Sequence, residues 1–184
     1  NREHFERHGV LALNLMSSPG AGKTALTKRL VPVLRERGLK VERLDGDVVR
    51  QTLTKDLGFS AEDRNTNIER VTFVAKLLTR NGVAVLTAFI SPYIARRERS
   101  RAEIGNFVEC YVECDLDTLI ERDVKGLYQK ALAGEIKNFT GISDPYEPPP
   151  NPEIIVNSAT QSIDESMEII LRRLAELGYV PQID

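Results

Sequence analysis

The residues best suited to chemistry lie in the stretch SSPGAGKT, which covers positions 17–24. Gly20 and Gly22 let backbone amides turn toward an anion with no side chain in the way. A helix that begins here would add the positive end of its dipole at the same place. In such a loop Lys23 would reach the β- and γ-phosphates of a nucleotide, and the Thr24 hydroxyl would hold Mg²⁺. The stretch therefore predicts a phosphate-binding loop.

Two residues of this loop need a separate account. The pattern G-x-x-x-x-G-K-[ST] places glycine where this chain has Ser17. A serine is tolerated there if its φ is negative, and it is damaging if its φ is positive. Pro19 stiffens the loop and removes one amide donor. An ordinary glycine-rich turn is the alternative, but Gly-Lys-Thr opening a helix after an apolar strand favours the phosphate site.

An acidic pair follows the second predicted strand, where Asp45 and Asp47 stand in the sequence DGD. Ligands of open α/β sheets bind at the carboxyl ends of the strands, so these carboxylates would face the phosphates. A carboxylate there can accept the proton of a hydroxyl that receives a phosphoryl group, or hold Mg²⁺ through water. An acidic turn around Gly46 with no chemical role is the alternative.

The elements that must position these residues alternate between apolar strands and amphipathic helices. Pro32 predicts a kink in the first helix, and Ser60 with Asp63 predicts a helix start. Five strands are expected, at residues 10–16, 40–44, 83–90, 107–114 and 153–157. Helices are expected at residues 24–38, 60–82, 92–104, 115–123 and 162–178. This alternation indicates an α/β fold in three layers, a parallel sheet covered by helices on both faces.

Residues 123–153 interrupt the alternation, because they are rich in lysine, glycine and proline and end in DPYEPPPNPE. A segment of this length without a clear strand or helix is typical of a functional loop or of disorder. We find no internal repeat and no domain boundary. The chain is therefore expected to form a single domain over residues 1–184, and because it begins at Asn1, to be a trimmed chain or part of a longer protein.

Composition narrows the class of protein. The 184 residues are 41% hydrophobic and 28% charged, with a formal net charge of -2, which argues against non-specific nucleic-acid binding. No apolar run reaches the roughly 20 residues of a membrane span, and no signal peptide is visible. Cys110 and Cys114 would lie roughly 13 Å apart on one strand, too far for a disulfide, and they lack partners for zinc. A reducing, cytoplasmic location is expected.

The phosphate loop alone does not separate a GTPase from a kinase. SSPGAGKT looks like the loop of metallochaperone-type GTPases, but that resemblance stops at the loop. A GTPase should also carry an Asn-Lys-x-Asp motif for the base, and the chain has none. A kinase instead needs a site for a phosphoryl acceptor.

Later segments supply that site. LDGDVVR, KDLGFSAEDRNTNIERV, FISPY and RDVKGLYQKALAGEIKNFTGISDPYEPPPNPE follow one another in an order and at a spacing that resemble the adenylylsulfate kinase family over roughly residues 40–180. The resemblance implies a P-loop kinase that moves the γ-phosphoryl of ATP, with Mg²⁺, to the ribose 3′-hydroxyl of adenylyl sulfate. The family usually reads Gly-Leu-Ser-Gly-Ala-Gly-Lys-Thr in the loop, with glycine in place of Ser17.

The resemblance also implies roles for individual residues. Asp47 would be the base and Asp45, with Thr24, the metal-side group. ATP would be bound by Ser18, Gly20, Ala21, Gly22, Lys23, Thr24, Ala25, Arg122 and Lys125. Adenylyl sulfate would be bound by Asp45, Arg50, Phe59, Arg64, Asn67, Ile90, Ser91, Pro92, Lys137 and Phe139, with the two phenylalanine rings on either side of its adenine. Without the resemblance, both rings would be assigned to the core and the charged residues to the solvated surface.

Several alternatives stay open. Ser91 would either carry a phosphoryl group or, as we prefer, shape the acceptor pocket beside the catalytic Asp47 and Lys23. Residues 123–153 would form a lid that expels water. The chain could instead be a non-catalytic regulatory domain, which should have lost Lys23 or the aspartates, or a kinase for another nucleotide-linked acceptor. The resemblance further implies a homodimer, either alone or fused to or associated with a sulfurylase.

Overall fold

A computed structural model describes residues 10–123 and 125–181 of the chain. It contains five strands, β1 (Ala12–Met16), β2 (Val41–Asp45), β3 (Ala84–Phe89), β4 (Phe107–Glu113) and β5 (Ile154–Asn157). All neighbouring strands are parallel, in the order β2-β3-β1-β4-β5. The five-stranded parallel sheet predicted from the apolar runs is confirmed.

Seven helices are present in the described part of the chain. They are α1 (Lys23–Glu36), α2 (Gly46–Gln51), α3 (Ala61–Arg80), α4 (Ile94–Ile104), α5 (Leu116–Arg122), α6 (Leu127–Leu132) and α7 (Ile163–Glu176). Ser60 caps α3 by accepting a hydrogen bond from the Asp63 amide, as predicted. Tyr93 is the N-cap of α4, so Pro92 lies just before the helix rather than in its first turn.

The helices begin and end where side chains or glycines satisfy free backbone groups. Ser162 and Glu165 form a reciprocal capping box at the start of α7. Asp115 accepts from the Thr118 amide at the start of α5. Helix α1 continues through Pro32 without interruption, although proline cannot donate the hydrogen bond expected of that position.

The sheet brings the carboxyl ends of its first three strands to one edge. Met16 at the end of β1 pairs with Phe89 at the end of β3. Asp45 at the end of β2 pairs with Ala88, which also belongs to β3. The phosphate-loop residues, the acidic pair and the residues after β3 therefore start from adjacent positions, as expected for a ligand site in an open parallel sheet.

The core fills the space between this sheet and the helices on both faces. Every residue of β1 and β3 is buried. A large cluster that includes Leu13, Leu30, Leu86, Val112 and Leu174 packs around the sheet, and a smaller one lies under α2 and α3. Cys110 and Cys114 are free, and burial raises the pKa of Cys110 well above its ordinary range. No helix of the described residues is both long and apolar enough to cross a membrane.

Two expectations about elements were wrong in detail. The segment 123–153 contains the helix α6, and its residues Tyr128 and Ala131 are buried in the core. Asp45 does not lie beyond the second strand, because it is the last residue of β2 and the N-cap of α2. Neither feature has a strong periodic signal in the sequence. Helix α6 has only six residues, and β2 has only five, so the hydrophobic pattern does not fix the last residue of the strand.

Candidate active site

The loop between β1 and α1 is organised around the Lys23 ammonium group. Lys23 Nζ donates to the carbonyl oxygens of Ser17 at 3.0 Å and Ser18 at 2.7 Å. Among described residues other than glycine, only Ser91 and Asn138 have a φ in the left-handed region. Ser17 therefore meets the condition under which serine is tolerated at the first position, and it contributes its carbonyl rather than a special backbone angle.

The two glycines of the loop do need their freedom, with φ of 83° at Gly20 and 93° at Gly22. Tyr128 of α6 also holds the loop, because its buried hydroxyl donates to the Pro19 carbonyl at 2.7 Å. A Cβ at Gly20 would lie 3.7 Å from Leu119 and 3.8 Å from Tyr128, within ordinary contact distance. Backbone conformation, rather than lack of space, is what requires glycine at both positions.

Burial changes the proton affinity of Lys23. Its side chain is only 9% exposed, and loss of hydration, together with the charge of Lys125, lowers its pKa to about 7. Asp45 and Asp47 act in the opposite direction but do not compensate. A site that holds a cation at this cost is suited to a ligand that brings negative charge, such as a triphosphate.

The Thr24 and Asp45 side chains are in direct contact. Thr24 Oγ1 donates to Asp45 Oδ2 at 2.9 Å, and Arg43 Nη1 lies 3.1 Å from the same oxygen. Asp45 Oδ1 accepts from the Asp47 amide at 3.1 Å, which caps α2. A Cβ at Gly46 would lie 3.2 Å from the Ala88 carbonyl oxygen, so glycine lets α2 begin close against β3. The buried Asp45 carboxylate is thus held rigidly beside the Thr24 hydroxyl.

Asp47 is far more exposed than Asp45. Asp47 Oδ2 and Lys125 Nζ lie 2.6 Å apart, with 66% and 62% of the respective side chains exposed. Lys125 belongs to the segment after α5 and comes 78 positions later in the chain. The structure therefore brings together the residue expected to be the base and one expected to contact ATP.

Arg50 and Phe59 form a second pair near the end of α2. The Arg50 guanidinium carbon lies 4.7 Å from the centre of the Phe59 ring, and its Nη1 donates to the Gly58 carbonyl at 2.6 Å. Phe59 is 66% exposed. An aromatic face stacked on one side and open on the other is suited to stacking on a base.

Arg64 of α3 fastens the loop that contains Phe139. Arg64 Nη1 lies 2.6 Å from both Thr140 Oγ1 and Asp144 Oδ2, and Nη2 donates to the Asn138 carbonyl. A Cβ at Gly141 would lie 3.5 Å from Ser18 Oγ, so this loop lies against the phosphate-binding loop. Arg64 acts here as a connection between helix and loop, in addition to any contact with a ligand.

Phe139 and Asn67 are both buried, although both were expected to contact the acceptor. The Phe139 ring is 7% exposed and packs edge-to-face on Tyr128, with ring centres 5.0 Å apart. Asn67 is 4% exposed, and its side-chain oxygen accepts from Thr54 Oγ1 at 2.7 Å. The expectation that Phe139 and Phe59 enclose an adenine stays a prediction, and Phe59 offers the larger free face.

Ser91 has the unusual backbone of this site. It follows β3, is 5% exposed and has a φ of 46°. A non-glycine residue in this region costs on the order of 1–3 kcal/mol, and such conformations concentrate at functional sites. Its carbonyl accepts from Arg97 Nη1 at 2.6 Å. The strain is thus held in place by a buried guanidinium.

The other predicted residues lie around these contacts. Arg122 is exposed, and its Nη2 donates to the Ser158 carbonyl at 2.7 Å. Lys137 is exposed, Pro92 is buried and Ile90 is half-buried beside Ser91. Ala21 is buried, while Ala25 in the first turn of α1 is half-buried.

Known proteins resemble this chain over most of its length. The sequence profile of the family described as Adenylylsulphate kinase matches residues 10–157. The chain belongs to the adenylylsulfate kinase family. A probable adenylyl-sulfate kinase from Pseudomonas aeruginosa is 64% identical over 154 residues, which are 84% of this chain and 72% of that protein. A probable bifunctional SAT/APS kinase 2 from Sorangium cellulosum is 56% identical over 163 residues, 89% of this chain but 28% of that protein.

The solved structures give the same family. The Mycobacterium tuberculosis APS kinase CysC, in complex with AMPPNP and APS, has a TM-score of 0.85 and 37% identity, with 91% of this chain and 98% of that chain covered. This adenylylsulfate kinase therefore has the P-loop kinase fold, and the kinase interpretation of its loop is confirmed over the GTPase interpretation.

Sequence reasoning missed several residues that organise the adenylylsulfate kinase site. Their positions carry only weak signals. Arg43 stands two before Asp45 on one strand and so shares its face. The others are polar or aromatic residues paired across 50 or more positions, which no local pattern reveals: Tyr93, Arg97, Tyr128, Asp144 and Glu147.

Proposed function

We propose that this adenylylsulfate kinase transfers the γ-phosphoryl group of ATP to the ribose 3′-hydroxyl of adenylyl sulfate, with Asp47 as the base. The observation that carries the assignment is the meeting of Lys23, Asp45 and Asp47 at the carboxyl edge of the sheet. Thr24, the residue after Lys23, donates to Asp45 Oδ2 at 2.9 Å, and the Asp47 amide donates to Asp45 Oδ1 at 3.1 Å. Both carboxylates act to raise the pKa of Lys23. A cation for the phosphates and a carboxylate for the hydroxyl proton therefore lie in one place.

In the proposed reaction the 3′-oxygen forms a bond to the γ-phosphorus while the bond from that phosphorus to the β,γ-bridging oxygen breaks. The hydroxyl proton passes to the Asp47 carboxylate, and ADP leaves. Lys23 and the loop amides hold the phosphate charge, which is the main contribution a protein makes to phosphoryl transfer. Asp47 is exposed enough to meet a hydroxyl once Lys125 turns away from it.

We favour direct transfer over a phosphoserine on Ser91. Ser91 is buried and its backbone is fixed by Arg97, whereas Asp47 is exposed at the same edge of the sheet. Phosphoryl transfer needs alignment and charge neutralisation more than it needs a covalent intermediate. Ser91 then shapes the acceptor pocket together with Ile90 and Pro92.

The donor set at Thr24 and Asp45 is suited to Mg²⁺. Both are hard oxygen ligands, and Thr24 Oγ1 and Asp45 Oδ2 are already 2.9 Å apart. A Mg²⁺ ion bound with ATP would draw charge from the phosphate oxygens. Among the described residues no group of three or more His, Cys, Asp or Glu side chains is placed to hold a metal ion, and we expect Mg²⁺ to bind together with the phosphates rather than alone.

The acceptor would lie on the side of Arg50, Phe59 and Arg64. Phe59 presents an open aromatic face to the adenine, and the two guanidinium groups supply positive charge for the phosphosulfate. Lys137 is exposed at the surface and can approach from residues 123–153, which we propose close as a lid. Asn67, which is buried on α3, would contribute its side-chain amide to the acceptor site.

We further propose that the enzyme acts as a homodimer in the cytoplasm. Its association with a sulfurylase, covalent or not, is suggested by the bifunctional relative, most of which lies outside the region that this chain matches. Analytical ultracentrifugation of the purified chain should give twice the mass of one subunit, and a single-subunit mass would contradict the dimer.

The activity is tested by incubating the protein with ATP, Mg²⁺ and adenylyl sulfate and measuring ADP and the 3′-phosphorylated product. The wild type and Lys28→Ala, which changes an exposed lysine on the same helix, should turn over. Lys23→Ala should not. Turnover by the wild type no higher than by Lys23→Ala would reject the kinase and favour a regulatory domain.

A further inference from the structure

The loop after β3 is joined to a distant segment by several polar contacts. Glu147 lies near the end of the proposed lid and reaches this loop in two ways. Its amide donates to the Pro92 carbonyl at 2.9 Å, and its carboxylate accepts from the Ile94 amide at 2.6 Å. The second contact satisfies a free amide in the first turn of α4. Glu147 thus contacts the residue before Tyr93 through its backbone amide and the residue after Tyr93 through its carboxylate.

Arg97 completes the connection from inside. Its guanidinium donates to the Ser91 carbonyl at 2.6 Å and to the Glu147 carbonyl at 2.7 Å. Arg97 is 2% exposed and is balanced by Glu109 of β4, at 3.3 Å from its Nε. A buried, planar group with three fixed partners has little freedom to move. Arg97 therefore links the strained residue Ser91 to Glu147.

Packing alone does not fix this loop. A cavity of about 20 Å³ lies beside it, lined in part by Ser91, Phe89, Thr72 and Ser100. Because some of the space next to Ser91 is not filled by side chains, apolar contacts leave part of its surroundings unconstrained. The hydrogen bond that Arg97 donates to the Ser91 carbonyl therefore helps to maintain its positive φ.

We propose that Arg97 and Glu147 are positioning residues for the phosphoryl acceptor. They hold the loop from Ser91 to Ile94 in the conformation that receives adenylyl sulfate, and they anchor the downstream end of the lid to the same loop. Neither is placed in contact with a substrate. This inference rests on the proposed kinase function and adds residues to its acceptor site.

The test compares two variants that each remove a side-chain contact from the first turn of a helix. Glu147→Ala removes the acceptor for the Ile94 amide, and Ser162→Ala removes the equivalent contact at α7. Both should lower the melting temperature. Only Glu147→Ala should raise the KM for adenylyl sulfate, by about 10- to 100-fold, with the KM for ATP unchanged. Glu147→Gln keeps an oxygen acceptor and should recover most of the loss.

A purely structural role predicts a different result. If Glu147→Ala and Ser162→Ala both leave the KM for adenylyl sulfate within about twofold of the wild type, the inference is wrong while the kinase activity stands. A wild type without turnover rejects the kinase and this inference together. Should Glu147→Ala fail to fold, Arg97→Lys is tested instead, because it keeps a charge for Glu109 but loses the planar fork that reaches both carbonyls. It should raise the KM for adenylyl sulfate, and an unchanged KM would reject the inference.

Discussion

The Asp47 carboxylate is paired with the Lys125 ammonium group at 2.6 Å, although the two residues are 78 positions apart. The pair joins the start of α2 to the segment that follows α5. The proposed base is therefore paired with a lysine of the proposed lid. We expect ATP phosphates to compete for Lys125, and its departure to free Asp47 for the acceptor hydroxyl.

Replacement of Asp47 by asparagine should lower kcat by about 10²- to 10⁴-fold, because an amide cannot take the hydroxyl proton. Stability should change by no more than about 0.5 kcal/mol, since the ion pair is exposed. Steady-state kinetics and thermal melting measure these two quantities. Asp56→Asn, which breaks the exposed pair with Arg70, is the matched control and should keep full activity. A normal kcat for Asp47→Asn would mean that another group is the base.

Nucleotide binding should take up a proton above pH 7. Burial lowers the pKa of Lys23 to about 7 in the free protein, and the triphosphate charge should raise it again. Between pH 7 and about 10 the free amine is largely neutral and becomes charged on binding, whereas below about pH 6 it is already charged. Calorimetry of ATP binding at about pH 8.5 in buffers of different ionisation enthalpy measures the uptake.

The proton uptake has its own control. Lys23→Met has no titratable group at this position, so its residual ATP binding should lose the uptake assigned to Lys23. An equal uptake in the variant would assign the proton to another group. The sign also matters, because release of a proton at about pH 8.5 would contradict a lowered pKa in the free state.

Glycine should be needed at position 22 but not at position 17. Ser17→Gly should leave the ATP Kd within about twofold, because Ser17 lies outside the left-handed region and contributes its carbonyl. Gly22→Ala should cost about 1–2 kcal/mol of stability and weaken ATP binding, since its φ is 93°.

Gly38→Ala separates strain from function. Gly38 has a φ of 87° and, like Gly22, has no atom within 4 Å of the place a Cβ would occupy, but it follows the far end of α1. The two alanine variants should lose similar stability by thermal melting, and only Gly22→Ala should lose ATP affinity by calorimetry. Equal ATP affinity in both would show that the Gly22 conformation is not used for binding.

Phe59 should contribute to acceptor affinity with little effect on folding. Loss of an aromatic stacking partner costs about 1–3 kcal/mol per base, so Phe59→Ala should raise the KM for adenylyl sulfate by roughly 5- to 150-fold. Its side chain is 66% exposed, so the melting temperature should barely change. Phe73→Ala, at a residue that is 61% exposed on α3, is the control and should leave both quantities unaltered. An unchanged KM in Phe59→Ala would remove Phe59 from the acceptor site.

The strength of local signals explains which parts could be predicted. Continuous apolar runs such as AVLTAF predicted β3, and Ser60 with Asp63 predicted the start of α3. The phosphate loop was visible because its glycines, lysine and threonine are adjacent in the chain. The short helix α6 was not predicted, since its burial depends on Tyr128 packing against Phe139 and the loop.

The sequence by itself determined the parallel α/β sheet, the phosphate loop and the kinase family. The sheet follows from apolar runs, the loop from residues adjacent in the chain, and the family from several segments that keep their order and spacing. Only the tertiary structure decided that Ser17 stays outside the left-handed region, that Lys125 pairs with Asp47, that Arg64 binds the loop at Asp144, and that Arg97 and Glu147 hold the turn at Ser91. The physical reason is that hydrogen bonds and ion pairs act over about 3 Å in space, whatever the separation along the chain. A polar residue shows its partner only after the sheet has brought the two segments together.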